Sequence, residues 1–293
     1  MKTGYVALVG RPNVGKSTLL NHLVGQKLSI VSRHPQTTRH RILGIKTDAE
    51  GQVIYVDTPG IHGGERHAMN RYLNRTAVSA LLGVDLVVWL VDRVGWLPED
   101  DLVRTRIDEA GVPVILAINK VDRIQEKEVL LPFIGSAAES KRFADIIPIS
   151  ATKGINLERL EERIRMQLPE GDPIYPEDQI SDRPERFFAA EIIREKLFHR
   201  LAQEVPHALT VSIERFQEER RLTRIHALIW VEREGQKAIV IGKNGEVLKR
   251  VGEQARFDLE RMLGQRVFLN LWVKVKRGWS DDERVLQHLG YAD

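Results

Sequence analysis

The sequence contains no cysteine, which excludes a disulfide scaffold, a thiol nucleophile and a thiolate metal site. It also has no long hydrophobic run. The longest uninterrupted apolar stretch, Leu86 to Val91, has six residues, against roughly 20 needed to cross a bilayer. Near the amino terminus the apolar stretch from Tyr5 is cut by Arg11, too early for a secretory signal. No internal repeat and no low-complexity tract occurs, and neither sign of charge dominates: 44 Lys and Arg face 41 Asp and Glu, a net +3. What remains is a folded chain of 293 residues, 42% hydrophobic and 29% charged, long enough for two domains and expected in a reducing cytoplasm.

The small excess of positive charge is unevenly placed. Residues 1–180 balance 23 bases with 23 acids, whereas 237–277 hold ten bases and four acids. A local excess of that kind suits a polyanion partner as well as it suits a solvated face.

Through residue 168, short apolar runs (Tyr5–Val9, Val53–Val56, Leu86–Val91, Val114–Ile118, Asp145–Ile149) alternate with helix-period segments (Lys16–Val24, Met69–Leu82, Pro98–Ala110, Asn156–Leu168). Unalternated apolar strands separated by helices predict an α/β domain, residues 1–168, with a mostly parallel sheet covered on both faces. Proline and acids then crowd the stretch to Pro184, so 169–184 reads as an interdomain linker. Residues 185–293 read as a smaller α+β domain. It starts with an amphipathic helix over Arg186–Gln203, followed by paired strands Thr210–Phe216 and Arg224–Val231. Next come an apolar strand at Ala238–Ile241 running into a glycine turn, helical Glu246–Gly252 and Glu253–Leu263, and a strand over Arg266–Val275.

Gly10-Arg11-Pro12-Asn13-Val14-Gly15-Lys16-Ser17, with Thr18 after it, follows a strand and opens a helix, the context a phosphate-binding loop requires. Its backbone N–H groups wrap phosphates, Lys16 brings a cation to the outer ones, and the Ser17 hydroxyl is placed for Mg²⁺. Asp57-Thr58-Pro59-Gly60 ends the next apolar strand; Asp57 suits the Mg²⁺ shell and the Gly60 N–H suits a γ-phosphate. Asn119-Lys120-Val121-Asp122 ends another. The Asp122 carboxylate can accept two hydrogen bonds from the guanine edge, where adenine would present a lone pair and leave the acid unpaired. Ile149-Ser150-Ala151 closes the series with small residues that let backbone N–H groups near the guanine oxygen. Between the first helix and the next extended segment lies Gln36-Thr37-Thr38-Arg39-His40. One of its two threonines can complete the Mg²⁺ shell only when triphosphate is present; Thr38 is carried forward with Ser17 and Asp57. The expected reacting set is Lys16, Thr38, Asp57 and Gly60. Histidines 40, 62 and 67 flank these segments and read as solvated loop residues.

In the second domain, Gly242-Lys243-Asn244-Gly245 has a strand-like run before it, a helix after it, and Lys249 and Arg250 nearby. Two glycines at a helix start let a nucleic-acid backbone approach while the helix N–H groups attract phosphate. Gly60 and Gly63 show the same spacing but sit in the phosphate switch.

In this order, the nucleotide motifs resemble those of translation-factor-related GTPases. The wording of the first loop, Gln36–His40 and Asp57–His62 is similar to the bacterial Era GTPases. So are Val231–Lys237, Val240–Gly245, Leu271–Lys276 and Gly278–Arg284, so that the likeness runs nearly end to end. It implies a Ras-like P-loop domain followed by a type II KH domain in α-β-β-α-α-β order. It further implies GTP/GDP and Mg²⁺ as ligands, 16S ribosomal RNA and the small (30S) ribosomal subunit as partners, a monomer, and peripheral attachment at the inner membrane face. Asn13 resembles the asparagine with which related GTPases hold K⁺ beside the phosphates; it equally suits capping the loop. One departure matters. Ile61 stands where Ras-like proteins place the glutamine that orients water, and it has no polar atom. That favours, as an alternative, an RNA-binding module with GTP as a structural ligand and incidental turnover. A tRNA-modifying GTPase lacks support, since no cofactor domain or reactive cysteine is present.

Overall fold

The computed structural model describes the chain apart from residues 33, 35, 62–66, 93, 94, 202–204, 292 and 293, and residue 127 by its backbone alone. The chain divides into two compact units, Met1–Glu65 with Asn70–Asp182, and Arg66–Met69 with Arg183–Asp293.

The first unit runs β1 (Lys2–Val9), α1 (Lys16–Val24), β2 (Ile42–Asp48), β3 (Gly51–Asp57), α2 (Ala68–Ser79), β4 (Leu86–Val91), α3 (Pro98–Ala110), β5 (Val114–Ile118), α4 (Leu130–Glu139), β6 (Asp145–Pro148) and α5 (Leu157–Gln167). Its sheet has the order β2-β3-β1-β4-β5-β6, parallel except for β2, which pairs antiparallel with β3. Helices on both faces account for strands without alternation. Ala7 and Val9 enter a core with Ala77, Val103, Ile107 and Phe133, while Val6 and Leu8, pointing the other way, are equally buried. The loops after β1, β3, β5 and β6 therefore share one edge of the sheet, where doubly wound folds bind ligands. α4, absent from the expected helices, contains Pro132 and Gly135. Pro132 falls in the helix's first turn, where its missing N–H has no partner to lose.

The segment expected as a linker behaves differently over most of its length. Residues 169–182 lie along the first unit: Thr3 N donates to Pro169 O (3.0 Å), Ile45 N to Ile180 O (2.9 Å) and Ser181 Oγ to Leu43 O (2.7 Å). Gln52, fully buried, accepts from Ile174 N (2.7 Å) and Tyr175 N (2.8 Å) through its Oε1. A proline-rich stretch cannot form a helix, but its backbone can be clipped to a sheet by one amide side chain.

The second unit runs α6 (Glu185–Arg200), β7 (Leu209–Glu219), β8 (Leu222–Val231), α7 (Glu234–Ile241), α8 (Glu246–Leu263), β9 (Arg266–Val275) and α9 (Glu283–His288). β7 pairs antiparallel and β9 parallel with the central β8. The helices cover one face, with Ile193, Leu197, Val240, Val251, Ala255 and Leu259 packed on Ile225, Ala227, Ile229 and Val273. Two expectations are corrected here. Ala238–Ile241 is the last turn of α7, not a strand: Val240 is buried while Ile239 is half exposed. A four-residue apolar run fits either period. The decisive feature is polar: Gln236 Oε1 reaches back to accept from Glu232 N (2.9 Å) and Arg233 N (3.0 Å), capping the helix start. The two helical pieces after Gly245 are one continuous α8. Among the described residues no helix is long and apolar enough to cross a membrane.

Candidate functional site

The loop from Gly10 joins β1 to α1, and its lysine is enclosed. Lys16 is buried, its Nζ donating to the carbonyls of Gly10 (3.0 Å) and Arg11 (2.8 Å). Burial pulls its pKa down to about 8, against the opposing pull of Asp57. Asp57, at the end of β3, is fully buried, and among the described residues neither carboxylate oxygen has a partner in full hydrogen-bond geometry, although Ser17, Ser29 and the Thr58 N–H lie near enough to favour its charged form. Burial raises its pKa, with the Lys16 charge as the main counterweight. A buried carboxylate with orphaned oxygens is costly unless a cation completes it.

Next to it the two hydroxyls expected at Mg²⁺ meet: Ser17 Oγ and Thr38 Oγ1 are 2.7 Å apart. Thr37 is engaged elsewhere, its Oγ1 donating to His34 O (2.7 Å) with Ser32 Oγ 3.3 Å away. Of the two threonines, Thr38 is the one whose hydroxyl meets Ser17. Hard oxygen donors of this kind, one carboxylate and two hydroxyls, fit a Mg²⁺ held together with substrate phosphates.

Gly60 comes so close to the loop that a Cβ would stand 2.6 Å from Pro12 N, so any larger residue would push this segment away from the Gly10–Ser17 loop. Thr58, between them, is buried and donates to Leu8 O (3.2 Å), anchoring the strand end. Ile61 points into the apolar core, 6% exposed, in the cluster of Val9 and Val56. It takes no part in positioning water. His40 is buried and edge-on to Tyr72 rather than solvated; His67 is exposed beside Asp281 (3.0 Å); His62 and Gly63 lie outside the described residues.

At the base end, three loops are tied by one amide. Asn119 Nδ2 donates to Val14 O (2.8 Å), and its Oδ1 accepts from Lys120 N (2.8 Å) and Ala151 N (2.9 Å). Asn119 therefore acts first as a brace between the phosphate loop and Ile149–Ala151. Asp122 is exposed, and Ser150 Oγ donates to one of its oxygens (2.6 Å), fixing the carboxylate's orientation. Lys120 reaches over to Asn13 O (2.6 Å), and Asn13 adopts a left-handed φ of 64° that asparagine tolerates.

The sequence reading missed Asp92. This residue follows β4 and joins Lys120 Nζ (2.7 Å) to Arg11 (3.0 Å); Arg11 Nε in turn donates to the buried Asp100 (2.8 Å). The available signal was positional. An acid directly after a buried apolar strand stands at the same edge as Asp57 and Asn119.

In the second unit the turn Gly242–Gly245 joins α7 to α8 with Lys243 and Asn244 exposed. Gly242 has φ 75°, and a Cβ there would meet Val247 at 2.4 Å, so the turn stays tight at the helix start. Beside it a groove of about 500 Å³ lies between α8 and β9, walled by Gly245, Leu248, Leu269 and Leu271, with two bases, Lys249 and Arg256, against one acid, Glu253. Lys249 is on its wall and Arg250 is exposed next to it.

Fold and site define a P-loop GTPase joined to a KH domain. A family model described as a 50S ribosome-binding GTPase matches residues 5–120, and a KH domain model matches residues 204–280. The chain is 56% identical over its whole length to GTPase Era of Ectopseudomonas mendocina, covering 98% of that protein, and 55% identical to GTPase Era of Pseudomonas aeruginosa, covering 96%. Two solved structures match over 100% of both chains at 41% identity. One is an Era variant of Aquifex aeolicus bound to GDP and AlF4⁻ (TM-score 0.96); the other is Era with MgGDPNP and nucleotides 1506–1542 of 16S ribosomal RNA (TM-score 0.97). The chain belongs to the Era family of GTPases.

Proposed function

We propose that this GTPase engages single-stranded RNA of the 16S 3′ region through its KH unit during maturation of the small ribosomal subunit, and that its nucleotide state gates that engagement. The observation that carries the reading is the presence, in one chain, of a nucleotide cradle with an orphaned Asp57 and a basic groove opening at Gly242–Gly245. The Era complex with a 16S fragment supports the choice of RNA. Cross-linking the full protein to cellular RNA tests it: fragments from the 16S 3′ end should dominate, and their absence would contradict the reading.

In hydrolysis, water attacks the γ-phosphorus, the bond to the β-phosphate oxygen breaks, and GDP and inorganic phosphate leave. Lys16 supplies positive charge where negative charge develops, at a site already desolvated. The Gly60 N–H faces the γ-phosphate, and Asn119 keeps phosphate loop and base loops in register. Ser17, Thr38 and Asp57 would hold Mg²⁺, which would neutralise phosphate charge. Thr38→Ala should raise the free Mg²⁺ needed for half-maximal hydrolysis by at least about tenfold, whereas Thr37→Ala should leave it unchanged. A Mg²⁺ titration of both variants decides between the two threonines.

With Ile61 in the core, charge must be offset by something other than that side chain. Asn13, exposed at the loop's mouth, is proposed to hold K⁺ there. Replacing K⁺ by Na⁺ at equal ionic strength should slow the wild type, while Asn13→Ala should hydrolyse GTP equally in both salts. A wild type indifferent to the cation would remove the ion from the mechanism. Ile61 also favours a second reading, GTP as a structural ligand with incidental turnover. Hydrolysis that RNA and K⁺ together fail to accelerate would support it. Cytoplasmic residence, with peripheral attachment at the inner membrane face, would need only the basic second unit and anionic lipid.

A further inference from the structure

The face of the KH sheet turned away from the helices carries exposed aromatic rings. Along β8 and β9 the odd-numbered residues Ile225, Ala227, Ile229, Val267 and Val273 enter the core under the helices, so the even-numbered ones face the other way. There the register sets Arg224 beside Phe268, Leu228 beside Trp272 and Trp230 beside Lys274. Phe268 is 45% and Trp272 40% exposed, and both flank the His226 ring, at 6.1 and 5.4 Å between centroids. Cations sit over the rings: the Arg224 guanidinium 5.6 Å from Phe268, and the Lys274 and Lys276 ammonium groups each 5.9 Å from Trp230. Arg224 is also paired with Glu219 at 2.9 Å.

β9 is the edge strand of this sheet. Its residues Leu269 and Leu271 line the basic groove, while Phe268 and Trp272, in alternation with them, belong to the open face. A strand of RNA held in the groove thus needs only to cross the β9 edge to reach exposed rings. A KH groove clamps about four nucleotides, which leaves a longer strand to be held elsewhere. Half-exposed rings interleaved with Lys and Arg are the chemistry that stacks bases and tracks phosphates without reading sequence.

We propose that this face is a second single-stranded RNA site, a stacking platform at Phe268 and Trp272 that takes the nucleotides continuing out of the groove over the β9 edge. The proposal rests on the reading of the KH groove as an RNA site. Anisotropy titrations of the full chain with two labelled RNAs from the 16S 3′ region, about 8 and about 24 nucleotides long, the shorter contained in the longer, separate the two sites. Wild type should bind the longer RNA at least about tenfold more tightly. The variant Phe268→Ala/Trp272→Ala changes two exposed side chains, and its fold is checked by circular dichroism. It should lose that increment and bind the short RNA as wild type does; Lys274→Glu should lose part of it. Wild-type affinity of the double variant for the longer RNA would overturn the platform while leaving the groove standing. No wild-type binding of either RNA would overturn the groove reading and the platform with it. A double variant that keeps its RNA affinity but no longer binds phosphatidylglycerol vesicles would make the face a membrane contact and overturn the proposal.

Discussion

Asp122→Asn is expected to exchange guanine for xanthine recognition. The Asp122 carboxylate is steered by Ser150 Oγ at 2.6 Å, which occupies one side of the group and leaves the rest open at the end of β5. Guanine brings two N–H donors to that opening, and an ionised acceptor makes the bonds about twice as strong as neutral ones. In the variant, Ser150 still needs an acceptor, so it holds the amide oxygen and turns the N–H₂ toward the base. Donor then meets donor in guanine. Xanthine has a carbonyl oxygen in place of the exocyclic amine, and the amide can donate to it. GDP affinity should fall by at least about 10³-fold, the scale on which sites built around hydrogen bonds reject a mismatched partner, and xanthosine diphosphate affinity should rise. Titration calorimetry with both nucleotides measures it. Unchanged GDP affinity would take base recognition away from Asp122.

The second large effect lies in the other unit. Replacing Lys243 and Asn244 by aspartate puts two negative charges at the start of α8, where N–H groups and helix dipole would otherwise attract a phosphate. Both positions are exposed, and Asn244 has φ 53°, a conformation aspartate also tolerates, so the turn keeps its shape. Single-stranded RNA affinity should drop on the order of 100-fold near 0.1 M salt, and the log–log salt slope should flatten by about 0.7 per lost phosphate contact. GTP hydrolysis without RNA should stay within about twofold, because the substitutions and the nucleotide cradle belong to different compact units. Equal affinity and slope in the folded double variant would reduce the turn to a helix connector.

Residues whose chemistry is carried by contiguous motifs were legible in the sequence, and those that act through distant partners were not. Gly10–Thr18, Asp57–Gly60 and Asn119–Asp122 each follow a buried strand, and the parallel sheet brings those strand ends to one edge. Which threonine meets Ser17 depends on a contact 21 residues away, Ser17 to Thr38, and could not be read from adjacent threonines. Asn119 was read for its chemistry toward the base; its bracing role depends on Val14 and Ala151, far off in sequence. Asp92 belongs to no motif and becomes visible only when Arg11 and Lys120 converge on it. The last turn of α7 was misread because four apolar residues carry no period, and residues 169–182 because proline content reports what a segment cannot form, not what it lies against. The platform on β8 and β9 shows why strand alternation needs a fold: only the register reveals that Phe268 and Trp272 share a face with Arg224 and Lys274.

Coupling between nucleotide and RNA is tested by one comparison. The affinity of the full chain for labelled 16S 3′-region RNA is measured twice in Mg²⁺ and K⁺, once with a non-hydrolysable GTP analogue bound and once with GDP. Gating requires the two dissociation constants to differ by at least about fivefold, and linkage requires RNA to shift the relative affinities for analogue and GDP by the same factor. Equal RNA affinity in the two states would contradict it.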